Sequence, residues 1–235
     1  MVEVKIVRAN PLVWRDYSDA VSDMNSIHRE DRAAIKYGLE GIVAPGMWIA
    51  SHIQTRENIS DIKQIKFSGA VYAGDELVVE EKKSLWGTNY TFSKGEKVLC
   101  EVKGVKFGSA DGSAKPLEEV LYSWDSRVSK DRINLFLGSL GFNEVNGYPS
   151  TYLASLSAPA LLGLGSLNGL GGMHASQSFS VHKDWVYGPV TVQVGDVKNR
   201  RVGKGAIEYY ELRWIQNEEI IASGRAGVLP LDKLE

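Results

Sequence analysis

The chain has 235 residues, of which 43% are hydrophobic and 24% charged, a composition typical of a globular protein and not of a fibrous or disordered one. Its 27 basic and 29 acidic residues leave a net charge of −2, so nothing favours nucleic acid or an anionic membrane surface as a partner. A single cysteine, Cys100, excludes an internal disulfide, and the four histidines show no metal-binding spacing. We therefore expect a reducing compartment, the cytoplasm, and no metal ion.

The first elements in chain order are three predicted helices. An amphipathic helix is predicted over residues 14–25, where apolar or aromatic side chains recur every three or four positions at Trp14, Tyr17, Val21 and Met24. A second, short helix is predicted over 29–37 and is ended by Gly38. The third begins at Pro45 and is apolar almost all round, so it should be buried.

Four β-rich runs follow the third helix. They cover residues 62–67, 76–83, 89–92 and 97–107, and the last two are joined by a predicted hairpin turn over 93–96. A buried helix followed by an antiparallel meander predicts an α+β fold in which a sheet wraps around that helix.

Short motifs recur in the same order in the two halves of the chain, which indicates an internal duplication. The matched pairs are Ala44-Pro45-Gly46-Met47 with Ala158-Pro159-Ala160-Leu161, Val71-Tyr72 with Val186-Tyr187, and Val98-Leu99-Cys100 with Ile220-Ile221-Ala222. The segment 109–117 has the composition of a polar linker. The predicted domains are therefore residues 1–115 and 116–235.

A long stretch of the second half, residues 145–182, contains no charged residue and could suggest a membrane span. Its serines, threonines, proline and many glycines favour instead a tightly surrounded helix followed by a glycine-rich loop. The glycines at 163, 165 and 169 do not match a phosphate-binding loop, because no strand-like run precedes them and no Lys-Ser/Thr pair follows.

The segment with the clearest chemical content is Asp23-x-Asn25-x-x-His28. A carboxylate and an imidazole brought together on a turn can hold one water molecule between them, with histidine accepting its proton. Downstream, the first amide groups of the helix that begins at Pro45-Gly46 could stabilise negative charge on a carbonyl oxygen. Glycine at position 46 lets a ligand approach the backbone closely.

These elements, followed by Phe67-Ser-Gly-Ala-Val-Tyr-Ala-Gly74-Asp-Glu-Leu, resemble the MaoC-like, R-specific enoyl-CoA hydratase family of hot-dog folds. The resemblance covers residues 16–107 and implies two hot-dog repeats, a double hot-dog. It further implies that Asp23 and His28 are the catalytic pair and that Gly46 supplies an amide to the thioester carbonyl. Asn25, which braces the turn, and Met47 are the implied substrate-binding residues.

The implied activity is a hydro-lyase that reversibly adds water to trans-2-enoyl thioesters, an enoyl-CoA hydratase or 3-hydroxyacyl-thioester dehydratase of fatty acid metabolism. Its substrate would be an acyl-CoA or an acyl-carrier thioester, no cofactor is implied, and a homodimer of double hot-dogs remains open. Two alternatives are a hot-dog acyl-CoA thioesterase and a non-catalytic acyl-thioester-binding subunit. The sequence departs from the family pattern at Ser26, where proline is frequent, and at Pro45, where histidine is common.

On the repeat alignment, Asp23 and His28 fall on Leu137 and Phe142, so the second copy is predicted to lack the catalytic pair. The small residues of its central helix, such as Ala160, are predicted to leave room for an acyl chain.

Each candidate also has a structural interpretation that the sequence leaves open. Asp23 could cap a helix and His28 could be a turn residue. The remaining histidines, His52, His174 and His182, are predicted to be structural, and Cys100 to be a small core residue. The basic run Asn199-Arg200-Arg201 with Lys204 could meet a CoA phosphate, but a solvated turn is favoured.

Overall fold

A computed structural model describes residues 3–54, 58–108, 112–142, 148–167, 172–202 and 205–230. The helices are α1 Pro11–Val21, a 3₁₀ helix Ser26–His28, α2 Asp31–Lys36, α3 Gly46–Ser51, α4 Lys130–Ser139, α5 Ser150–Ser155 and α6 Ser157–Leu167. The strands are β1 Glu3–Arg8, β2 Ile59–Phe67, β3 Glu76–Ser84, β4 Gly87–Lys94, β5 Lys97–Phe107, β6 Val120–Val128, β7 Gly172–Val181, β8 Gly188–Val202, β9 Gly205–Gln216 and β10 Glu219–Pro230. Lys204 and part of the predicted linker, residues 109–111, lie outside the described residues, as do the side chains of Asn199, Arg200 and Arg201.

The strands form one antiparallel sheet in the order β1-β3-β4-β5-β2-β7-β10-β9-β8-β6. This order is symmetric about its centre. The first half contributes β1-β3-β4-β5-β2 from one edge inward, and the second half contributes β6-β8-β9-β10-β7 from the other edge inward. At its centre β2 pairs with β7, with Asp61 opposite Ser180 and Ile62 opposite Phe179. The two halves therefore share a continuous sheet.

The helices lie against this sheet and cross between the halves. Helix α1 packs on α4, and α3 packs on α5. Trp48 of α3 donates its indole hydrogen to the Ser139 carbonyl (3.1 Å), and Tyr152 of α5 donates its hydroxyl to the Ala20 carbonyl (3.3 Å). One hydrophobic core cluster includes residues of both halves, so neither half buries its apolar face alone.

The first helix starts earlier and ends earlier than its periodicity predicts. Asn10 caps α1 by accepting a hydrogen bond from the Leu12 amide, and Ser22 ends the helix in the left-handed conformation (φ 60°). The prediction that the helix reaches Asn25 is wrong, because the left-handed conformation of Ser22 ends the helix at Val21. As a result Met24, predicted on the buried face, is 61% exposed.

The other predicted elements of the first half are confirmed with small changes of boundary. Helix α2 is followed by Gly38 with a φ of 74°, and the third helix begins at Gly46 with Pro45 as its N-cap. The four predicted strands correspond to β2, β3, β4 and β5. Strand β1 was not predicted, although residues 3–6 alternate between charged and apolar side chains.

The structure corrects the alignment of the central helices. Pro149 is the N-cap of α5 as Pro45 is of α3, whereas Pro159 lies inside α6. The serine hydroxyls near the ends of the two helices repeat the same bond: Ser51 donates to the Met47 carbonyl and Ser155 to the Thr151 carbonyl, both at 2.6 Å. Pro149, not Pro159, is therefore the counterpart of Pro45.

The alignment of the positions predicted to be catalytic also changes. The Asp23 amide donates to the Ser18 carbonyl at the end of α1, and the Phe142 amide donates to the Leu137 carbonyl at the end of α4. Phe142, not Leu137, is thus the counterpart of Asp23. Only residues 143–148 separate Phe142 from Pro149, too few for the 3₁₀ helix and α2 that precede Pro45 in the first half. His28 therefore has no counterpart, and its predicted match with Phe142 is wrong.

Candidate active site

The turn after α1 holds the Asp23 side chain in a buried position. The left-handed Ser22 directs Asp23 back toward the protein interior, where it is 5% exposed. Its Oδ1 accepts a hydrogen bond from the Asn25 amide (3.2 Å), which fixes the carboxylate relative to the turn. The second carboxylate oxygen, Oδ2, faces His28.

The 3₁₀ helix positions the His28 ring beside this carboxylate. Nδ1 of His28 lies 2.8 Å from the Val43 carbonyl oxygen. A carbonyl only accepts hydrogen bonds, so Nδ1 carries the proton and Nε2 of the neutral ring is an acceptor. Nε2 and Asp23 Oδ2 are 3.9 Å apart, too far for a direct hydrogen bond.

Hydrogen bonds of the neighbouring backbone hold both partners of the contact between His28 and the Val43 carbonyl in place. Asn25 caps the 3₁₀ helix by accepting from the Ile27 amide (3.4 Å), and the Val43 amide donates to the Ile27 carbonyl (3.2 Å). Val43 also forms a β-bridge with Tyr72. The ring is therefore held by a backbone segment that is itself paired with the connection between β2 and β3.

Helix α3 begins at the same place. Its first amides, at Gly46 and Met47, have no acceptor within the helix because helical hydrogen bonds reach back four residues. The Phe67 ring covers Gly46 so closely that a Cβ there would lie 3.1 Å from two ring atoms. A side chain at position 46 would displace this ring.

These residues line one cavity of about 330 Å³. The first half contributes all five predicted site residues, Asp23, Asn25, His28, Gly46 and Met47, together with Phe67 and residues 68–71. The second half supplies a further wall from α6, β7, β9 and β10, and its lining residues include Ala158, Leu161, Leu164, His174, Glu208, Tyr210 and Val228. The structure thus brings the predicted residues together beside a largely apolar wall.

Two polar residues of that wall were missed by the sequence analysis. Glu208 and Tyr210 lie on β9, and the Tyr210 hydroxyl donates to Glu208 Oε2 at 2.6 Å. Their positions in the sequence could have indicated this. Alternate residues of a strand face the same side, so Glu208 and Tyr210 face the same side as Leu212 and Trp214, which are fully buried. A glutamate on the apolar face of a strand marks a position that packing alone does not explain.

The other histidines do not pair with Asp23 or His28 in the described structure. His52 is buried against Trp48, with ring centroids 4.6 Å apart, and burial followed by the nearby Lys5 lowers its pKa to about 3. His182 Nε2 lies 2.7 Å from the Ser223 hydroxyl. His174 lines the cavity. Cys100 is fully buried, as predicted, and burial raises its pKa.

Within the described part of the chain, no three His, Cys, Asp or Glu side chains are grouped so that they could hold a metal ion. None of the helices described above has the length and apolar character needed to cross a membrane.

No family model and no curated protein matches this sequence. Solved structures do resemble it. A MaoC-like dehydratase has a TM-score of 0.70 at 10% identity, with 97% of each chain covered. A conserved hypothetical protein from Mycobacterium tuberculosis with a double hot-dog fold has a TM-score of 0.69 at 10% identity, with 98% of this chain and 96% of that chain covered.

The chain has a double hot-dog fold. Both the α+β class and the two-repeat architecture implied by the sequence resemblance are confirmed. Structures named MaoC-like dehydratases are among the neighbours of this double hot-dog, in agreement with the family named from the motifs. Another neighbour, assigned as an oleoyl thioesterase from Lactobacillus plantarum, has a TM-score of 0.55 at 8% identity, with 98% of this chain and 96% of that chain covered.

Proposed function

We propose that this double hot-dog protein is a hydro-lyase that reversibly adds water to trans-2-enoyl thioesters. The observation that carries the proposal is the pairing of Asp23 Oδ2 with His28 Nε2, 3.9 Å apart, in a cavity to which the second half contributes a largely apolar wall. The substrate would be an acyl-CoA or an acyl-carrier thioester of fatty acid metabolism, and the cytoplasm is the proposed compartment.

The catalytic pair suits activation of a water molecule. Both facing atoms, Nε2 of His28 and Oδ2 of Asp23, are hydrogen-bond acceptors, so a water that donates one hydrogen to each fits between them. As the water oxygen attacks C3 of the enoyl group, His28 takes one of its protons. The imidazolium that forms is stabilised by the adjacent carboxylate and by the Val43 carbonyl.

Attack at C3 moves electrons onto the thioester oxygen, which then needs a hydrogen-bond donor. The Gly46 amide, with that of Met47, is the proposed donor because it opens a helix on the same cavity and has no acceptor within that helix. When the enolate collapses, C2 takes up the proton held by the His28 imidazolium, which returns His28 to its neutral form, and H and OH have then been added across the double bond. Asn25 acts in this scheme by bracing the turn that carries both catalytic residues.

A thioesterase is the second candidate, because a protein assigned as an oleoyl thioesterase shares the fold. In that reaction the activated water attacks the thioester carbon itself and the thiolate leaves. A carboxylate is sufficient for that step, whereas the additional His28, with its tautomer set by Val43, favours hydration at C3.

One assay separates the candidates. The purified protein is incubated with crotonyl-CoA while the enoyl absorbance and the free thiol are followed. Loss of absorbance without thiol supports the hydratase, release of thiol supports the thioesterase, and binding without either change supports a non-catalytic acyl-thioester-binding subunit.

A further inference from the structure

The turn that carries Asp23 is joined to the second half of the chain by the side chain of Arg132. Arg132, in the first turn of α4, donates one hydrogen bond to the Ser22 hydroxyl at 2.6 Å and another to the Ser126 hydroxyl at 3.1 Å. Ser22 is the residue directly before Asp23, and it ends α1 in the left-handed conformation with a φ of 60°. A cation of one repeat thus contacts the residue at which the other repeat turns into the candidate active site.

The second half also fixes Arg132 itself. The Ser129 hydroxyl caps α4 by accepting a hydrogen bond from the Arg132 amide (3.3 Å), and α4 packs on α1. Burial raises the pKa of Tyr152 on α5, and the nearby Arg132 guanidinium opposes that shift. Tyr152 in turn donates to the Ala20 carbonyl in the last turn of α1 (3.3 Å). The end of α1 is therefore held at two points by residues of the second half.

The conformation of Ser22 is one for which glycine is better suited. A positive φ is uncommon for residues with a side chain, and helices that end in this way most often have glycine at that position. The second repeat follows this rule: Phe142 is the counterpart of Asp23, so Gly141 is the counterpart of Ser22, and its φ is 75°. The first repeat makes the same turn with a serine whose hydroxyl accepts a hydrogen bond from Arg132.

The position of the Asp23 carboxylate depends on this turn. The Asp23 amide donates to the Ser18 carbonyl (2.8 Å) across Ser22, and Asp23 Oδ1 accepts from the Asn25 amide (3.2 Å). If Ser22 left the left-handed region, the chain would change direction immediately before Asp23 and both bonds would be lost. The spacing of Asp23 Oδ2 and His28 Nε2 would change with them. A misplacement of about 1 Å can cost on the order of a hundredfold in rate.

The two hydrogen bonds of Arg132 allow positioning to be separated from general stabilisation. A hydrogen bond from a charged donor stabilises a fold wherever it lies, so both bonds contribute to stability. Ser126, however, belongs to the regular strand β6, whereas Ser22 has a positive φ and precedes Asp23. Only the bond to Ser22 should therefore affect the candidate active site.

We propose that Arg132 is a positioning residue, which keeps Ser22 in the left-handed conformation and so holds the Asp23 carboxylate toward His28. The inference rests on the proposed function for the role of Asp23. It gives the second repeat a part in the reaction besides its wall of the cavity, because the turn that carries Asp23 is held in place by α4.

The first test removes the guanidinium in the full-length protein. Arg132→Met keeps an aliphatic side chain against α1 but cannot donate to Ser22. Arg132 is not among the residues that line the cavity, so we expect kcat for crotonyl-CoA hydration to fall at least about tenfold while KM changes less than about twofold. Amide hydrogen exchange, followed by NMR, should become at least about tenfold faster at Asp23 and Asn25.

Substitutions of Ser22 give a readout that general stabilisation would not produce. Ser22→Ala removes the acceptor and keeps a side chain, so its kcat should fall as in Arg132→Met. Ser22→Gly also removes the acceptor, but glycine adopts the turn without help, as Gly141 does, so its kcat should remain within about threefold of the wild type. Adding Ser22→Gly to Arg132→Met should restore both kcat and slow amide exchange.

Two controls address the remaining effects of these changes. Ser126→Ala removes the other hydrogen bond of Arg132, and Arg127→Met removes an exposed arginine of the neighbouring strand β6. Both should keep kcat within about twofold of the wild type. A thermal melt of each variant verifies that it is folded, and the Ser22 variants test the proposal even if Arg132→Met does not fold.

The outcomes separate this inference from the proposed function. Wild-type kcat in folded Ser22→Ala, unchanged exchange at Asp23 and Asn25 in Arg132→Met, or a loss that Ser22→Gly does not restore would each overturn the role of Arg132 while wild-type hydration could still be observed. If the wild type does not hydrate crotonyl-CoA, the hydratase is rejected, and the exchange measurements still decide whether Arg132 holds the turn.

Discussion

At the scale of single residues, the hydration proposal depends on Asp23 and His28. Asp23→Asn replaces an acceptor oxygen by a donor, and His28→Ala removes the base, so each variant should lower the rate of crotonyl-CoA hydration at least about a hundredfold. Steady-state kinetics measure the loss. Asp16→Asn, an exposed change on α1, is the control and should keep the wild-type rate. A folded variant of either catalytic residue with near wild-type turnover would remove it from the mechanism.

Gly46 provides a second test at this scale. Gly46→Ala places a Cβ 3.1 Å from the Phe67 ring, so the ring must shift and the thioester oxygen can no longer approach the amide closely. We expect kcat for hydration to fall at least about tenfold. The matched control is Gly138→Ala, since a Cβ at Gly138 on α4 meets no atom within 4 Å. Equal activity of the two alanine variants would contradict the proposed role of the amide.

Some of these residues are predictable because their geometry is local. Asp23, Asn25 and His28 are joined by one turn, and the start of a helix at Pro45-Gly46 follows from proline and glycine chemistry. Glu208 and Tyr210 are not predictable in this way. They reach the same cavity only through the pairing of β9 with β10 and of β10 with β7, and sequence periodicity does not determine strand order.

At the scale of elements, α6 forms part of the wall that would hold the acyl chain. Ala158 and Leu161 line the cavity, whereas Ala160, singled out from the sequence, is fully buried in the core. Ala158→Leu should therefore reduce kcat/KM for long enoyl-CoA substrates more than for crotonyl-CoA. Ala160→Phe should instead lower stability by about 1 to 3 kcal/mol without a preference for chain length. Chain-length series and thermal melts for both variants measure these effects, and equal losses across lengths in a folded Ala158→Leu protein would place the acyl chain elsewhere.

His52, at the end of α3, gives a separate prediction about how the stability of the protein depends on pH. His52 is 8% exposed, and neither ring nitrogen has a hydrogen-bond partner among the described residues. Because burial and Lys5 lower its folded-state pKa to about 3, the unfolded chain takes up a proton below pH 6.5 while the folded chain does not. Stability should therefore fall on acidification between these values, by up to about 1.4 kcal/mol per pH unit from this group.

His52→Phe removes that titration and keeps a ring against Trp48. Its melting temperature should decrease less than that of the wild type as the pH is lowered from neutral toward 4. Parallel melting curves in a pH series measure the difference. If the melting temperatures of the two proteins decreased equally with pH, His52 would not contribute to the acid sensitivity of the fold.

At the scale of the whole molecule, the sheet and the core join the two repeats. The pairing of β2 with β7 continues the sheet across the centre, and one core cluster contains residues from both halves. Residues 1–115 or 116–235 expressed alone should therefore not give a folded monomer, because each would expose an unpaired central strand and a large apolar face. Size-exclusion chromatography measures whether each half is monomeric, and circular dichroism measures whether it is folded. A monomeric half that melts cooperatively would contradict the prediction. The intact chain should unfold in one transition.

Only some of the matches between the two repeats could be predicted correctly from the sequence. The match of Leu99 with Ile221 is confirmed by the sheet, where their carbonyls accept equivalent hydrogen bonds from Ser68 and His182 at 2.8 Å. The match of Pro45 with Pro159 was misleading because the second half has a further helix, α6, directly after the counterpart of α3. Short recurring motifs do not reveal such insertions, whereas hydrogen bonds at helix ends do.

The replacement of Asp23 by Phe142 in the second half has a consequence for how the protein can diverge. In a symmetric dimer of single hot-dog chains, every substitution in the wall that contacts the acyl chain is also introduced beside the catalytic pair, since both copies come from one coding sequence. Here the wall of α6 and β9 and the turn of Asp23 and His28 are encoded separately. Under the proposed function, substrate preference can therefore change by mutation of the second repeat while the reaction chemistry is inherited unaltered.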